Sequence, residues 1–433
     1  MDKNNVNISK KTGLCCSCGI CKNVCPKNCI DYQREKGMYV PVIDNDICIH
    51  CGICTDVCPG IHETYEHNDP KQAVIGSVKG SYNAWSKDPD IRHVSASGGC
   101  ITSIVSELLA QKRYDVAFAV DSYDYRNQIK TMPISEISNH IESTFPKSRY
   151  LPVSHENAVS YIRCSPDKRV VLIGTSCALR ALRKVIDHFN LNSENYLYIG
   201  LFCDKVFNYN VYNYLSDRYA DEKKVVALHF KNKESGGWPG NMKLFFDDGT
   251  YCYLNKSIRA GLKDFFMPER CLYCIDKLNV SADIAFGDNY TDQNSSKLGS
   301  NSVIIRTNQG KQAWDLTSKV LEFESVSLSK IKQAQYIDGR LINQYYNIIK
   351  KAEIEKKQNL KINNQVGFYC EQNPNDYLYS YYEIKKRIEI GTDYCDNSQK
   401  AAPKITDKRK KEGKIIKRLK RYYYTVFRNY IHH

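Results

Sequence analysis

Tryptophan, methionine and proline are scarce in this chain of 433 residues, at three, five and thirteen copies. Long apolar runs are missing altogether. The longest uninterrupted ones reach five residues, as in Val116–Val120, whereas a membrane-crossing helix needs about 20, so no such span is expected. The first eleven residues, Met1 to Lys11, are polar and lack the apolar centre of a secretory signal. A cytoplasmic location is expected. No serine, histidine and aspartate form a convincing hydrolytic arrangement. Hydrophobic residues at 42% and charged residues at 25% exclude a disordered or fibrous chain. The length suggests about three domains at ~150 residues each.

Cysteine is what the chain has in excess, with nineteen. A reducing compartment disfavours disulfides, so clustered cysteines there read as metal-binding or catalytic. Nine fall in two runs, eight of them at the repeated positions: Cys15-Cys-Ser-Cys18-Gly-Ile-Cys21-Lys-Asn-Val-Cys25-Pro26 and Cys48-Ile-His-Cys51-Gly-Ile-Cys54-Thr-Asp-Val-Cys58-Pro59. They are offset by 33 residues, and 8 of 12 aligned positions are identical. Both follow the bacterial ferredoxin pattern C-x2-C-x2-C-x3-C-P, in which the fourth cysteine ligates the other cluster. Three close thiolates wrap three corners of a cubane, and the Cys-Pro turn sends the last cysteine away. The expected ligands are Cys15, Cys18, Cys21 and Cys58 for one [4Fe-4S] cluster, and Cys48, Cys51, Cys54 and Cys25 for a second. Zinc knuckles also use C-x2-C, but zinc has no use for a third step followed by C-x3-C-P, twice. Cys16 and Cys29 fall outside the pattern and read as small packing residues.

The remainder alternates strands and helices. Expected strands are Gly37–Ile43, Tyr114–Val120, Arg169–Gly174, Tyr196–Phe202, Val225–Lys231, Met242–Phe246, Tyr251–Leu254, Ala282–Phe286 and Ser302–Arg306. Expected helices run about Gly99–Gln111, Ala178–His188 and Gln309–Val320. The fold class is α+β or mixed α/β. A ferredoxin-like domain over 1–69 precedes a core over 70–346, then a helical extension and basic tail over 347–433. Ser97-Gly98-Gly99 opens a helix. Such a turn can bind a cofactor phosphate, though plain capping explains it equally. Cys177, Cys203 and the pair Cys271-Leu-Tyr-Cys274 sit near strand ends. From spacing alone they either converge on a further cluster or a zinc, or serve as buried small hydrophobes.

Further stretches carry a resemblance. Ser97-Gly98-Gly99, Gly174-Thr-Ser-Cys177-Ala-Leu-Arg-Ala-Leu-Arg183, Gly200-Leu-Phe-Cys203, Gly237-Trp238, Cys271-Leu-Tyr-Cys274, Ala282-Asp-Ile-Ala-Phe-Gly-Asp288 and Gly299-Ser-Asn-Ser-Val-Ile-Ile-Arg-Thr307 resemble the coenzyme F420 hydrogenase/dehydrogenase beta subunits. With the ferredoxin repeat, the likeness covers roughly residues 12 to 345. The family includes relatives similar to 7-hydroxymethyl chlorophyll a reductase, and bacterial members found beside polysaccharide-synthesis enzymes. The resemblance implies electron transfer between iron–sulfur clusters, a bound FAD and a redox partner that can be coenzyme F420, a deazaflavin. It implies a third [4Fe-4S] cluster on Cys177, Cys203, Cys271 and Cys274, and flavin or deazaflavin contacts at Ser97, Gly98 and Gly99. Two motifs depart from the family. Gly-Thr-Ser-Cys177-Ala178 replaces Gly-Thr-Pro-Cys-Gln, and Asp204-Lys-Val follows Cys203 in place of a His- or Ser-containing turn. If those polar groups hold the flavin or the substrate in the family, this chain's partner differs from a deazaflavin.

Charge adds one expectation. The net charge is +14, but residues 400–433 hold 12 Lys/Arg against Asp407 and Glu412. The rest of the chain is close to balanced, so it does not read as nucleic-acid-binding. Lys414 to Arg428 is basic, aromatic and roughly helix-periodic, which suits peripheral contact with an anionic inner membrane face or a solvated terminal helix. Expected partners are a ferredoxin or another redox protein, and a small-molecule substrate, a sugar or polysaccharide precursor being one candidate. A flavin-dependent oxidoreductase is the first expectation, and a non-catalytic electron-delivery subunit the second. His229 and Asp288 are candidate proton donors, with structural roles favoured for both.

Overall fold

The computed structural model describes residues 5–61, 74–120, 122, 125–136, 145–291, 296–341, 343–344, 347 and 377–396. The boundary expected near Asp69-Pro70, Cys370 and the basic tail lie outside them, as does the side chain of Cys395.

The N-terminal unit is built on a hairpin. Strand β1 (Ile30–Glu35) pairs antiparallel with β2 (Met38–Ile43), from Ile30↔Ile43 to Glu35↔Met38. The two-residue turn has both φ angles positive, +49° at Lys36 and +75° at Gly37, the geometry whose twist suits a tight hairpin. Short helices Ile20–Val24 and Ile53–Asp56 follow the two cysteine loops. Each begins just after a left-handed glycine, Gly19 at +75° and Gly52 at +83°.

The main body carries β3 (Gly80–Ser86), β4 (Val116–Val120), β5 (Thr131–Ile134), β6 (Val170–Thr175) and β7 (Tyr196–Leu201). It continues with β8 (Val225–Asn232), β9 (Asn241–Phe246), β10 (Tyr251–Leu254), β11 (Ile284–Asp288), β12 (Asn301–Ile305) and β13 (Leu321–Ser325). Eight of these form one sheet in the order β13-β3-β12-β11-β7-β6-β4-β5. Four consecutive strands, β11, β7, β6 and β4, are mutually parallel, and the strands on either side of them join antiparallel. This is a mixed α/β architecture. Parallel strands are buried on both faces, and the residues alternate accordingly. Val116, Phe118, Val170, Leu172, Tyr196 and Tyr198 face helices Glu156–Cys164 and Ser176–His188. Ala117, Ala119, Val171, Leu197 and Ile199 face helices Cys100–Ala110 and Asn308–Thr317.

The expected central strands and helices are present, with ends shifted by one to three residues. The largest shift is in the helix Asn308–Thr317, whose expected last turn is the tighter turn Ser318–Val320. Strand β11 begins at Ile284 rather than Ala282. Ala282 still belongs to a turn, its N–H donating to Asn279 O at 3.2 Å. Sequence periodicity missed β3, β5 and β13, and the helices Glu156–Cys164 and Asn210–Tyr219.

A second sheet, β10-β9-β8, is fully antiparallel. Asp247–Thr250 closes its hairpin as expected, with Phe246 N–H donating to Thr250 O at 2.9 Å. An aromatic-rich core including Tyr125, Phe207, Tyr214, Phe230 and Phe266 lies against it.

The N-terminal unit is fused to the main body. Val6, Ile20, Val24, Ile30 and Val57 share one buried cluster with Val159, Ile162, Leu179 and Leu182. Polar ties reinforce this. His155 N–H donates to Cys18 O at 2.8 Å, and Asn23 Nδ2 to Glu156 O at 2.7 Å.

Candidate functional site

The two cysteine loops take the same backbone path. Ser17 and Gly19 are both left-handed, at +55° and +75°, and so are their counterparts His50 and Gly52, at +54° and +83°. Each loop curls round a hollow. The first, about 320 Å³ with open solvent included, is lined by Cys15, Cys18, Cys21 and Cys58. The second, about 350 Å³ on the same measure, is lined by Cys25, Cys48, Cys51 and Cys54. Each therefore takes three thiols from one run and the Cys-Pro thiol of the other. Among the described residues, no three His, Cys, Asp or Glu side chains stand close enough to grip a single ion. The thiols surround a larger space instead.

The electrostatics suit a polynuclear metal group. Burial pushes the Cys15 thiol up to about 12 and Cys54 up to about 11, and holds Cys21 well above its ordinary range. Four such thiols ionise together only when cations share the hollow. Donors for the thiolate form are already in place. Tyr32 Oη lies 2.9 Å from Cys21 Sγ. Burial opposes ionisation of Cys25, but N–H groups of Cys29, Lys27 and Asn28 aimed at its sulfur outweigh burial and bring it down. Ser17 lines the first hollow, and its buried Oγ has no hydrogen-bond partner among the described residues.

The main body supplies a third set of thiols. Cys177 lies in the first turn of helix Ser176–His188, where β6 ends. Cys203 follows β7, its N–H donating to Lys277 O at 2.9 Å. Cys271 lies in the short turn Glu269–Leu272 and Cys274 just after it. Burial, then the neighbouring Cys271, Cys177 and Cys274, hold Cys203 well above its ordinary range, so the four face one another. Val206 N–H points at Cys271 Sγ. The guanidinium of Arg340 faces Cys274, Cys203 and Cys271, anchored by Asp204 at 2.6 Å and by Cys274 O at 2.9 Å.

Cys16 joins this set to the first hollow. A hydrogen bond to Cys177 pulls its thiol down, but contact with Cys18 and burial outweigh that. Cys29 lines the second hollow, 3.4 Å from Cys25 Sγ. Both residues fell outside the sequence pattern, and both stand beside candidate ligands. Their closeness in sequence to Cys15 and Cys25 was the available signal.

A separate basic cleft borders the turn Ser97-Gly98-Gly99. Strand β8 and its extension carry His229, Lys231 and Lys233, with a register shift against β9 between His229 and Asn232. Lys233 Nζ donates to Arg92 O at 2.5 Å, Leu298 O at 2.6 Å and Ser97 O at 2.9 Å. Lys231 pairs with Asp288, which also accepts from Tyr290 Oη at 3.1 Å. Burial, helped by Lys147, Arg92 and Lys231, brings Lys233 down to about 7. Burial likewise brings Lys147 down to about 8 and, with Lys147 and Arg149, His229 down to about 3. Cations exceed the facing carboxylates, Glu234 and Asp288. Positive charge in excess attracts anions. The turn itself is packed inside. Ser97 Oγ donates to Ser300 O at 2.8 Å, and a Cβ on Gly98 would meet Asn301 Oδ1 at 2.7 Å. His229 and Asp288, the two candidate proton donors, both lie in this cleft.

Among the described residues, no helix is long and apolar enough to cross a membrane.

Comparison with known proteins identifies the N-terminal loops and the main body separately. Residues 14–60 match a 4Fe-4S dicluster domain. Residues 81–154 and 167–330 match the N-terminal and C-terminal parts of the coenzyme F420 hydrogenase/dehydrogenase beta subunit, together more than half of the chain. The chain is 23% identical over 377 residues to a coenzyme F420-dependent sulfite reductase of Methanocaldococcus jannaschii, covering 83% of this chain and 52% of that protein. It thus spans about half the length of that relative. It is 22% identical over 293 residues to the coenzyme F420 hydrogenase subunit beta of Methanococcus voltae, covering 66% of this chain and 93% of the other. A chain of the F420-reducing [NiFe] hydrogenase complex from Methanosarcina barkeri aligns at 17% identity and a TM-score of 0.48, covering 65% of this chain and 94% of that one. With both halves of one family in order behind a 4Fe-4S dicluster domain, the chain is an iron–sulfur electron-transfer protein that belongs to the coenzyme F420 hydrogenase/dehydrogenase beta subunit family.

Proposed function

We propose that this chain is a flavin-dependent oxidoreductase acting on a small anionic molecule. In this reading Cys15, Cys18, Cys21 and Cys58 hold one [4Fe-4S] cluster, and Cys48, Cys51, Cys54 and Cys25 a second. Cys177, Cys203, Cys271 and Cys274 hold a third. The observation that carries the reading is the contact of Cys16 with both Cys18 and Cys177, which makes the first hollow and the core thiol set neighbours. Arg340 and Val206 N–H stabilise negative charge on the core thiolates.

We place FAD at the basic cleft beside Ser97, Gly98 and Gly99. Lys147 and Arg149 hold its anionic groups, while Lys233 fixes the turn. A flavin supplies the exchange between one-electron and two-electron chemistry. Coenzyme F420, named in the relatives, is an anionic alternative for the same cleft. The basic side chains of this cleft suit an anionic substrate as well. A nucleotide-linked sugar, the activated unit of polysaccharide synthesis, has that character.

Anaerobic purification followed by iron, sulfide, zinc and flavin assays tests the reading. About twelve irons, at four per cluster, with about one flavin are expected. Fewer than about two irons with stoichiometric zinc would overturn it. A second reading, an electron-delivery subunit, draws on the exposure of Cys51 and of Ile49, 56% exposed, at the rim of the second hollow. That rim suits docking by a ferredoxin or another redox protein. Turnover of a substrate by the isolated chain with a chemical reductant separates the two.

A further inference from the structure

We infer that the hydroxyls of Ser17 and Tyr32 raise the reduction potential of the cluster in the first hollow and leave the second untouched. This rests on the assignment of [4Fe-4S] clusters to the two hollows.

The two hollows come from a sequence repeat, yet their linings differ. Ser17 is 0% exposed and lines the first hollow, and its Oγ has no hydrogen-bond partner among the described residues. A buried hydroxyl without an acceptor is unfavourable, and the sulfurs of a cluster are the acceptors that this hollow would offer. Tyr32, on β1, lines the same hollow with its Oη 2.9 Å from Cys21 Sγ. A metal-bound Cys21 has no proton to give, so Tyr32 must be the donor. Among the described residues, none that lines the second hollow carries a hydroxyl. The residue aligned with Ser17 is His50, half-buried, with Nδ1 3.7 Å from Cys48 Sγ. Cys51 on its rim is open to solvent.

The consequence follows from charge. Reduction adds one electron to a group that is already anionic with its four thiolates. Water stabilises that added charge at the exposed second hollow. The first hollow is drier, and its burial alone would make the added electron costlier. O–H dipoles that turn to its sulfurs, Tyr32 from 2.9 Å and Ser17 from the lining of the hollow, act in the opposite sense and are strongest where water is excluded. Ser17 and Tyr32 thus offset burial, so that the inner cluster still accepts an electron at a potential the outer one can match.

EPR-monitored redox titration of the full reconstituted chain tests this. Cys51→Ser identifies the signal of the second cluster. In Ser17→Ala and in Tyr32→Phe the midpoint of the other N-terminal cluster should move to more negative potential, and further in the double variant. The second cluster's midpoint should stay within titration error, and iron content should equal the parent's. Native iron content with unmoved midpoints in both single variants would overturn the inference, as would an equal shift of both clusters. Should Tyr32→Phe fail to retain iron, Ser17→Ala decides alone. A parent chain without iron would instead overturn the cluster assignment itself.

Discussion

Cys16 and Cys177 share a hydrogen bond across the seam between the N-terminal unit and the main body. One is adjacent in sequence to a candidate ligand of the first hollow, and the other belongs to the core set. Cys177→Ser is expected to lose about four of about twelve irons, taking four per cluster. Cys16→Ser should keep all of them. Parallel iron and sulfide assays on the two variants check this, and equal losses would make Cys16 a ligand.

Lys231 and Asp288 form a buried pair in the basic cleft, with side chains 3% and 15% exposed. Removing one charge strands the other among further cations. Asp288→Asn is expected to destabilise the chain by about 3–5 kcal/mol, the usual cost of breaking a buried pair. Combining it with Lys231→Met should recover much of that loss. Denaturant unfolding of the single and double variants reads both values.

Acid should weaken the protein through His229. Burial, then Lys147 and Arg149, lower its folded-state value to about 3, against about 6.5 in an unfolded chain. The unfolded chain therefore takes up the proton first. The stability is present above about pH 6.5 and is lost as pH falls from there towards 3, at no more than about 1.4 kcal/mol per pH unit. His229→Gln should flatten this limb when unfolding midpoints at pH 7.5 and pH 5 are compared.

Two glycines separate a seating contact from simple backbone strain. A Cβ on Gly19, at φ +75°, would lie 1.9 Å from Ser154 Oγ, whereas one on Gly249, at φ +80°, meets nothing within 4 Å. Gly249→Ala should cost about 1–2 kcal/mol from left-handed strain alone. Gly19→Ala should cost more and reduce iron occupancy of the first hollow. Thermal unfolding and iron assays on both variants test the contrast.

The eight N-terminal cysteines were legible because a cubane demands a local pattern, repeated in the chain at an offset of 33. The central strands were legible because burial on both faces leaves unbroken apolar runs such as Val170–Ile173. Of the outer strands, β12 was legible in the run Ser302–Arg306, but β3, β5 and β13 were not. In β13 only Leu321 is buried, and its other four residues are exposed, so no alternation announces it. The roles of Cys16 and Tyr32 were hidden because their contacts cross elements. The basic cleft was partly legible. His229, Lys231 and Lys233 recur at strand spacing, but their meaning depends on Lys147 and Arg149 arriving from another segment.

The shared cluster of Val6, Ile20, Val24, Ile30 and Val57 with Val159, Ile162, Leu179 and Leu182 makes the cysteine-rich start unlike a cassette that can be shuffled between genes. Cutting it away would strip a greasy flank from helices Glu156–Cys164 and Ser176–His188, and the remnant should clump rather than persist as a monomer. Evolution must therefore inherit relay and body as one piece, and an engineer wishing to exchange the relay must resurface those two helices first.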